Sequence, residues 1–379
     1  MLLWWVALIC APTCVAKSFW DTLPVGIHGG IRHRPPSDIA ALAKFRVVVV
    51  DPNEGPPCAS PFHACCNVSA AACAVENNFV RTLKSVKARD STVITMAYLN
   101  SILMMPYFTL SKKMYANASG LLLRDSAGKQ MSFAGDGGSG FFCEYFPTYD
   151  LTQAAARTAI LADFVAMQAS GAVDGVYLDK SATWPGFGDN EVQSKDTICQ
   201  HECFSMASAQ TAAYIAGRLD LFRGFDKACG ASGICSIDAR VVQPPPRGAG
   251  AITDTYIPRS MHIFRAAAKK SFEVFPNETI AFVRGLENQT EHLLWYGTCQ
   301  TEDEVAFFLV MAWEGCYCMA FSNDDTATTS WSKGWNYAKQ LGVPKGAARL
   351  VNGKTWVRFF AHGAEARYDV NSNTGKVIW

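Results

Sequence analysis

The chain has 379 residues, of which 49% are hydrophobic and 18% charged. That is enough apolar material for one large core with a small appendage. A formal net charge of +1, with Lys and Arg scattered along the chain, creates no long-range field for nucleic acid or an anionic membrane, so both are excluded as partners.

Residues 1–16 (MLLWWVALICAPTCVA) carry no charge and end in small residues. The pattern predicts a signal peptide cut before Lys17 and a secreted product. A membrane span needs about 20 apolar residues, and Pro12 breaks this run early. Beyond Cys10 and Cys14 the chain holds Cys58, Cys65, Cys66, Cys73, Cys143, Cys199, Cys203, Cys229, Cys235, Cys299, Cys316 and Cys318. An even set in an oxidising compartment reads as disulfides. Zinc sites use two short Cys/His pairs at characteristic spacing. Neither the cluster around Cys58, His63, Cys65, Cys66 and Cys73 nor Cys199-Gln-His-Glu-Cys203 has that spacing, and no metal is expected. Sequons begin at Asn67, Asn117, Asn277 and Asn288, in keeping with a secreted glycoprotein.

Strands and helices then alternate. Residues 45–51 (FRVVVVD) form a continuous β-branched run that suits a strand buried on both faces. A cysteine-rich insertion at about 55–73 precedes a helix at about 75–88. Residues 92–100 (TVITMAYLN) read as the second strand, 101–140 as an excursion over the mouth, and 141–146 as a short aromatic third strand. Asp150 and Gln153 resemble a capping box opening a helix over 153–170. The fourth strand is 174–179 (DGVYLD). A helix over 205–223 leads to a fifth strand at 234–239, and a Pro-rich loop leads to a sixth at 251–256. A helix over 259–272 precedes a seventh strand at 280–284, and a helix over 301–313 precedes the eighth at 316–322. The alternation predicts an α/β fold, a (β/α)8 TIM-type barrel spanning 17–331. An open doubly wound sheet would advertise a Gly-rich loop after its first strand, and Asp51-Pro-Asn-Glu-Gly is not one. Residues 332–379 predict a small C-terminal β-hairpin appendage, packed on the barrel through Trp356 and Phe359.

Barrel enzymes carry their reacting groups at the carboxyl ends of the strands. The polar residues expected there include Asp51, Tyr98, Asn100, Glu144, Asp179, Asp238, Arg240, Asp254, Tyr256, Arg284, Glu287 and Asn323, with Trp184 close by. An acidic rim with aromatics suits a sugar polymer, whose hydroxyls seek acceptors and whose ring faces stack. Acetal cleavage requires one carboxyl to protonate the leaving oxygen and another to stabilise or attack the oxocarbenium-like centre. Asp179, delivered by an apolar strand, is the candidate for the second role, and Asp254 for the first. Asp51, Tyr98, Asn100, Trp184, Asp238, Arg240, Tyr256, Arg284 and Asn323 are the candidate substrate contacts. Plainer roles compete: a salt bridge from Asp179 to Lys180 or Arg240, and a loop cap for Asp254. Glu287 and Glu144 stand in reserve as donors. No G-x-S-x-G elbow, Walker motif or dinucleotide fingerprint appears, so no cofactor is expected.

The runs VVVVDPN, ITMAYLN, Asp-Leu-Thr and DGVYLDKS, with LGVP, WVRFF and YDVN in the tail, resemble glycosyl hydrolases of the hypothetical family 15 type. Those are similar to glycoside hydrolase family 114, the endo-α-1,4-polygalactosaminidases. The resemblance spans about residues 43–379. It implies that Asp179 is catalytic and that a second acid ends strand six, where the family has Glu followed by an aromatic. Here Asp254 and Tyr256 stand, with a shorter acid than the pattern. The expected protein is a secreted, monomeric glycoside hydrolase acting on carbohydrate. The alternatives are a catalytically silent barrel that binds glycans or a protein, and a lyase or transglycosylase using the same rim.

Overall fold

The computed structural model describes residues 20–21, 25–29, 36–50, 75–101, 104, 108–110, 120–124, 128, 130, 132–134, 145–179, 208–229, 235–237, 261–265, 277, 280, 283–284, 292–296, 301–313, 316–322 and 340–379. Eight parallel strands form a closed ring: β1 (Val25–Gly29), β2 (Val47–Val50), β3 (Ile94–Asn100), β6 (Gly175–Asp179), β7 (Cys235–Ile237), β8 (Met261–Arg265), β9 (His292–Tyr296) and β10 (Cys316–Ser322). The ring shuts where β1 pairs with β10, Val25 beside Cys318. A two-stranded antiparallel ribbon, β4 (Ser132–Ala134) with β5 (Tyr145–Pro147), lies outside it.

Sequence chemistry accounts for these elements. The four valines of β2 are at most 1% exposed, as a strand covered on both faces requires. Helix α1 (Pro36–Leu42) precedes β2, and α2 (Val75–Arg89) follows it and buries Phe79, Leu83 and Val86 on one face. Its first turn holds Glu76 and its last Lys87 and Arg89, matching the helix dipole. Helix α3 (Ala154–Gln168) buries Ala156, Ile160, Phe164 and Met167 at helical spacing, and α4 (Ser208–Cys229) packs beside it through Phe164 and Phe225, with ring centroids 5.3 Å apart. The approach is close at Gly217, where a Cβ would fall on the Leu151 carbonyl. Helix α5 (Glu302–Met311) opens with a full capping box between Thr301 and Glu304. Its residues Val305–Met311 are all buried, with the C-terminal sheet packed against it.

Several expected elements differ. Residues 145–147 pair with 132–134 and contribute no barrel strand. Within the helix expected over 259–272, residues 261–265 are strand β8. Within the strand expected at 280–284, residues 280, 283 and 284 are helical. The ring includes β1, β8 and β9, none of them expected as strands, and the expected sixth strand at 251–256 lies outside the described residues. The capping box expected at Asp150 is absent: Gln153 is the N-cap and its side chain makes no cap bond. Asp150 Oδ1 instead accepts from the Thr152 amide and hydroxyl, at 3.1 and 2.6 Å, closing the turn before α3.

The C-terminal strands β11 (Arg349–Val351), β12 (Thr355–Phe359), β13 (Glu365–Asp369) and β14 (Thr374–Ile378) form a sequential antiparallel sheet. The β11–β12 turn uses Asn352 and Gly353 at φ 53° and 67°, as tight hairpins demand. Its inward face lies on α5: Tyr368 meets Phe307 edge-on at 4.9 Å. The amides of Gly375 and Val377 donate to Asp303 and Glu302 at 2.6 and 3.0 Å. Phe360, fully buried, stacks on Trp20. Phe359, expected to anchor the appendage, is 39% exposed, because the two-residue period turns it to the opposite face. Trp356 is partly buried against the core, and its indole N–H donates to Asn277 Oδ1 at 2.8 Å. Among the described cysteines, Cys229 and Cys318 are disulfide-bonded, and the buried Cys316 sulfur accepts the Trp313 amide.

Candidate active site

Strands β3 and β6 are neighbours in the ring, and their register aligns Tyr98 with Tyr177 and Asn100 with Asp179. The Tyr317 hydroxyl reaches Met96 Sδ at 3.8 Å. Strand β10 is separated from β3 by β1 and β2, so this contact crosses the barrel interior and fixes the inward face of β3. The two-residue period of a strand then places Met96, Tyr98 and Asn100 on that face. The rings of Tyr98 and Tyr177 stack at 5.9 Å with an interplanar angle of 18°, which puts Tyr177 on the same face. Position 179, two residues on and in register with Asn100, belongs to that face at the carboxyl end of β6.

The interior below this end is fixed by packing. Tyr177 is fully buried, and Tyr98 and Asn100 are 6% and 5% exposed. Asn100 Nδ2 donates to the Tyr98 hydroxyl at 3.3 Å, so the amide is oriented by the aromatic pair beneath it. The arrangement is a rigid aromatic floor carrying a carboxamide, with an aspartate as the next strand's register partner. Asn100, oriented in this way, offers a hydrogen-bonding group to a polar ligand at the carboxyl end of β3. Tyr177 was not singled out from the sequence. Its signal was present in DGVYLD, where it precedes Asp179 by two residues.

The segment after β3 is held from the helix layer. Glu76 Oε1 accepts from the amides of Thr109 and Leu110 at 2.6 and 3.3 Å, and Oε2 accepts from the Thr109 hydroxyl at 3.3 Å. Burial raises the Glu76 carboxyl above its ordinary value, outweighing the hydrogen bonds that lower it. A raised folded-state value means that the stabilising contribution is complete at low pH and declines as pH rises through it. Glu76→Gln keeps an acceptor for both amides and abolishes this titration. The stability of wild type relative to Glu76→Gln should therefore fall as pH rises from about 4.5, the ordinary glutamate value. Glu76→Ala, which leaves two amides unsatisfied, should cost about 1–3 kcal/mol. Urea titrations across pH read both effects, and a flat difference between wild type and Glu76→Gln would refute the first.

The other expected site residues divide plainly. Arg284 is helical and half-buried, so it does not end a barrel strand. Asp51, Trp184, Asp238, Arg240, Asp254, Tyr256 and Asn323 lie outside the described residues, as do Glu144, Glu287 and the sequon residues Asn67, Asn117 and Asn288. The sixth ring strand is β8, so Asp254 precedes it in sequence. The strand expected at 251–256, which would carry Asp254, also lies outside the described residues. Asn277 is exposed. Among the described residues, no group of three His, Cys, Asp or Glu is placed to hold a metal ion.

No protein-family model and no curated protein matches the chain. Solved structures do. A family GH13_31 enzyme superposes with a TM-score of 0.51 at 9% identity, covering 93% of this chain and 93% of its own. Amy13B of Eubacterium rectale gives 0.51 at 9% identity, over 92% and 86%. The ligand-free α-N-acetylgalactosaminidase NagBb of Bifidobacterium bifidum gives 0.49 at 12% identity, over 94% of this chain, which spans 57% of the length of that protein. At such identities the first two likenesses establish a shared fold. They do not single out family 114 or the hypothetical family 15 type.

Proposed function

We propose that this chain is a secreted glycoside hydrolase, built on a (β/α)8 glycosidase barrel, that cleaves an oligo- or polysaccharide with a pair of carboxyl groups. The observation that carries the reading is the register of β3 and β6, which brings Asn100 and Asp179 side by side at the carboxyl ends of neighbouring barrel strands. In a parallel barrel this is the end where loops build the substrate pocket. The fold shared with the family GH13_31 enzyme and Amy13B supports a glycosidase over other barrel chemistries by analogy. The motif resemblance to family 114 adds Asp179 in particular.

In this mechanism Asp179 is the ionised carboxylate that stabilises or attacks the anomeric carbon. Asn100 donates to a sugar hydroxyl, and the Tyr98–Tyr177 stack keeps the amide from rotating. The proton donor is a second acid within about 10 Å. Asp254 is one candidate. Asp238 is the other, because it is next in sequence after Ile237, the last residue of β7, and β7 is the other neighbour of β6. The same proposal includes a mature chain starting near Lys17, a disulfide framework among its cysteines and glycans at its sequons. A panel of poly- and oligosaccharides incubated with secreted protein, with Asp179→Asn as control, tests the activity. Absence of hydrolysis on every glycan, or hydrolysis that survives in the control, would reject the mechanism.

A further inference from the structure

Charge is unevenly distributed along this chain. Residues 340–379 hold six Lys or Arg and two Asp or Glu, a net of +4 in a protein whose formal net charge is +1. One of the six, Arg358, is buried against α5. Strand register orders three others. Arg349 aligns with Val357, Val357 with Arg367, and Arg367 with Lys376. One cross-strand row of the outward face therefore presents three exposed cations, with Val357 buried among them at 8% exposure. The next row is Phe359, Glu365 and Ile378, and both apolar members stand open to solvent. The Arg349 guanidinium lies 5.7 Å over the Phe359 ring, and Glu365 holds Arg367 Nε at 2.6 Å. These contacts fix the two arginines without covering them.

Strands are spaced about 4.8 Å apart, so the cations are about 5 and 10 Å from one another along the row. That geometry does not converge on a single small anion. It matches a linear polymer with an anionic group on successive or alternate units. Glu365 and Asp369 on the same sheet are acceptors that sugar hydroxyls use. Phe359 offers a ring face for stacking. We infer that the outward face of the C-terminal sheet is an accessory binding site for an acidic polysaccharide, a polymer of carboxylate-bearing sugars. The choice of a polysaccharide rests on the glycosidase reading of the barrel, but binding and hydrolysis are separable.

The test is affinity of the full chain for polygalacturonate by calorimetry at low salt. Wild type should bind, and added salt should weaken binding as it screens the cations. The fully methyl-esterified polymer, with the same backbone and no charge, should bind about tenfold more weakly or worse. R349E/K376E, with thermal unfolding checked against wild type, should lose affinity to a similar degree while hydrolysing short glycans at the wild-type rate. Asp179→Asn should bind as wild type does. Equal binding of the esterified polymer, undiminished binding by R349E/K376E, or tighter binding to duplex DNA or phosphatidylserine vesicles at the same salt would each overturn the inference. Lost hydrolysis of every glycan with charge-dependent binding intact would reject the barrel mechanism alone.

Discussion

Asp179→Asn should lower glycan hydrolysis by about four orders of magnitude while leaving glycan binding close to wild type. Asn preserves the shape and keeps a hydrogen-bonding group at the end of β6, so neither the strand nor its pairing with Asn100 is disturbed. What disappears is the negative charge. The transition state of acetal cleavage develops positive charge at the anomeric carbon, and a carboxylate held on a rigid strand meets it without reorganisation. The ground-state sugar is neutral and gains little from that charge, so kcat should fall far more than KM rises. The donor behaves differently. Its replacement by Asn should damage substrates with poor leaving groups most and activated aryl glycosides least. Comparing Asp254→Asn with Asp238→Asn on both substrate types identifies which of them protonates the leaving oxygen. Small and equal losses in all three variants would mean that the acids are structural and the barrel is a binder.

Trp20→Ala should destabilise the protein by about 3–5 kcal/mol. Trp20 is fully buried. It stacks between Phe308 of α5 and Phe360 of the sheet edge, at 6.2 and 5.4 Å. The Arg358 guanidinium sits 5.7 Å over its ring, and that group donates to the Leu309, Ala312 and Gly346 carbonyls. It thereby satisfies carbonyls at the end of α5 that the helix cannot satisfy itself. Removing the indole opens a cavity on three sides and strips a buried cation of its aromatic face. Trp20→Phe should retain most of the stacking and cost clearly less. Urea denaturation reads both, and a loss below about 1 kcal/mol for Trp20→Ala would show that this residue is not integrated into the fold.

What the sequence revealed follows from which segments carry one unambiguous period. The valine run at 47–50 and the apolar strands ending at Asn100, Asp179 and Ser322 are too β-branched or too continuous to read otherwise, and all four are barrel strands. The departures from the expected strands have separate physical causes. Residues 261–265 (MHIFR) are followed by Ala and Lys, good helix formers, so local propensity favoured a helix that tertiary pairing overrode. Residues 280–284 (IAFVR) form a short apolar run, for which strand and buried helix look alike. The strand VGIHG contains two glycines and only two β-branched residues, and it exists because β2 and β10 flank it. At the site, Tyr98, Asn100 and Asp179 were legible because each lies at the polar end of an apolar run. Glu76 was not, because its role depends on a residue thirty-three positions away.

The pairing of Val25 with Cys318 also governs how the molecule comes into being. A ring closed by its first and eighth strands remains open until β10 has emerged, and Trp20 meets Phe360 later still. Closing the ring is therefore a non-local step, which slows folding and lengthens the life of an incomplete barrel with unpaired edges. Such an intermediate is a natural client for chaperones, and removal of β1 or β10 would leave it in that state.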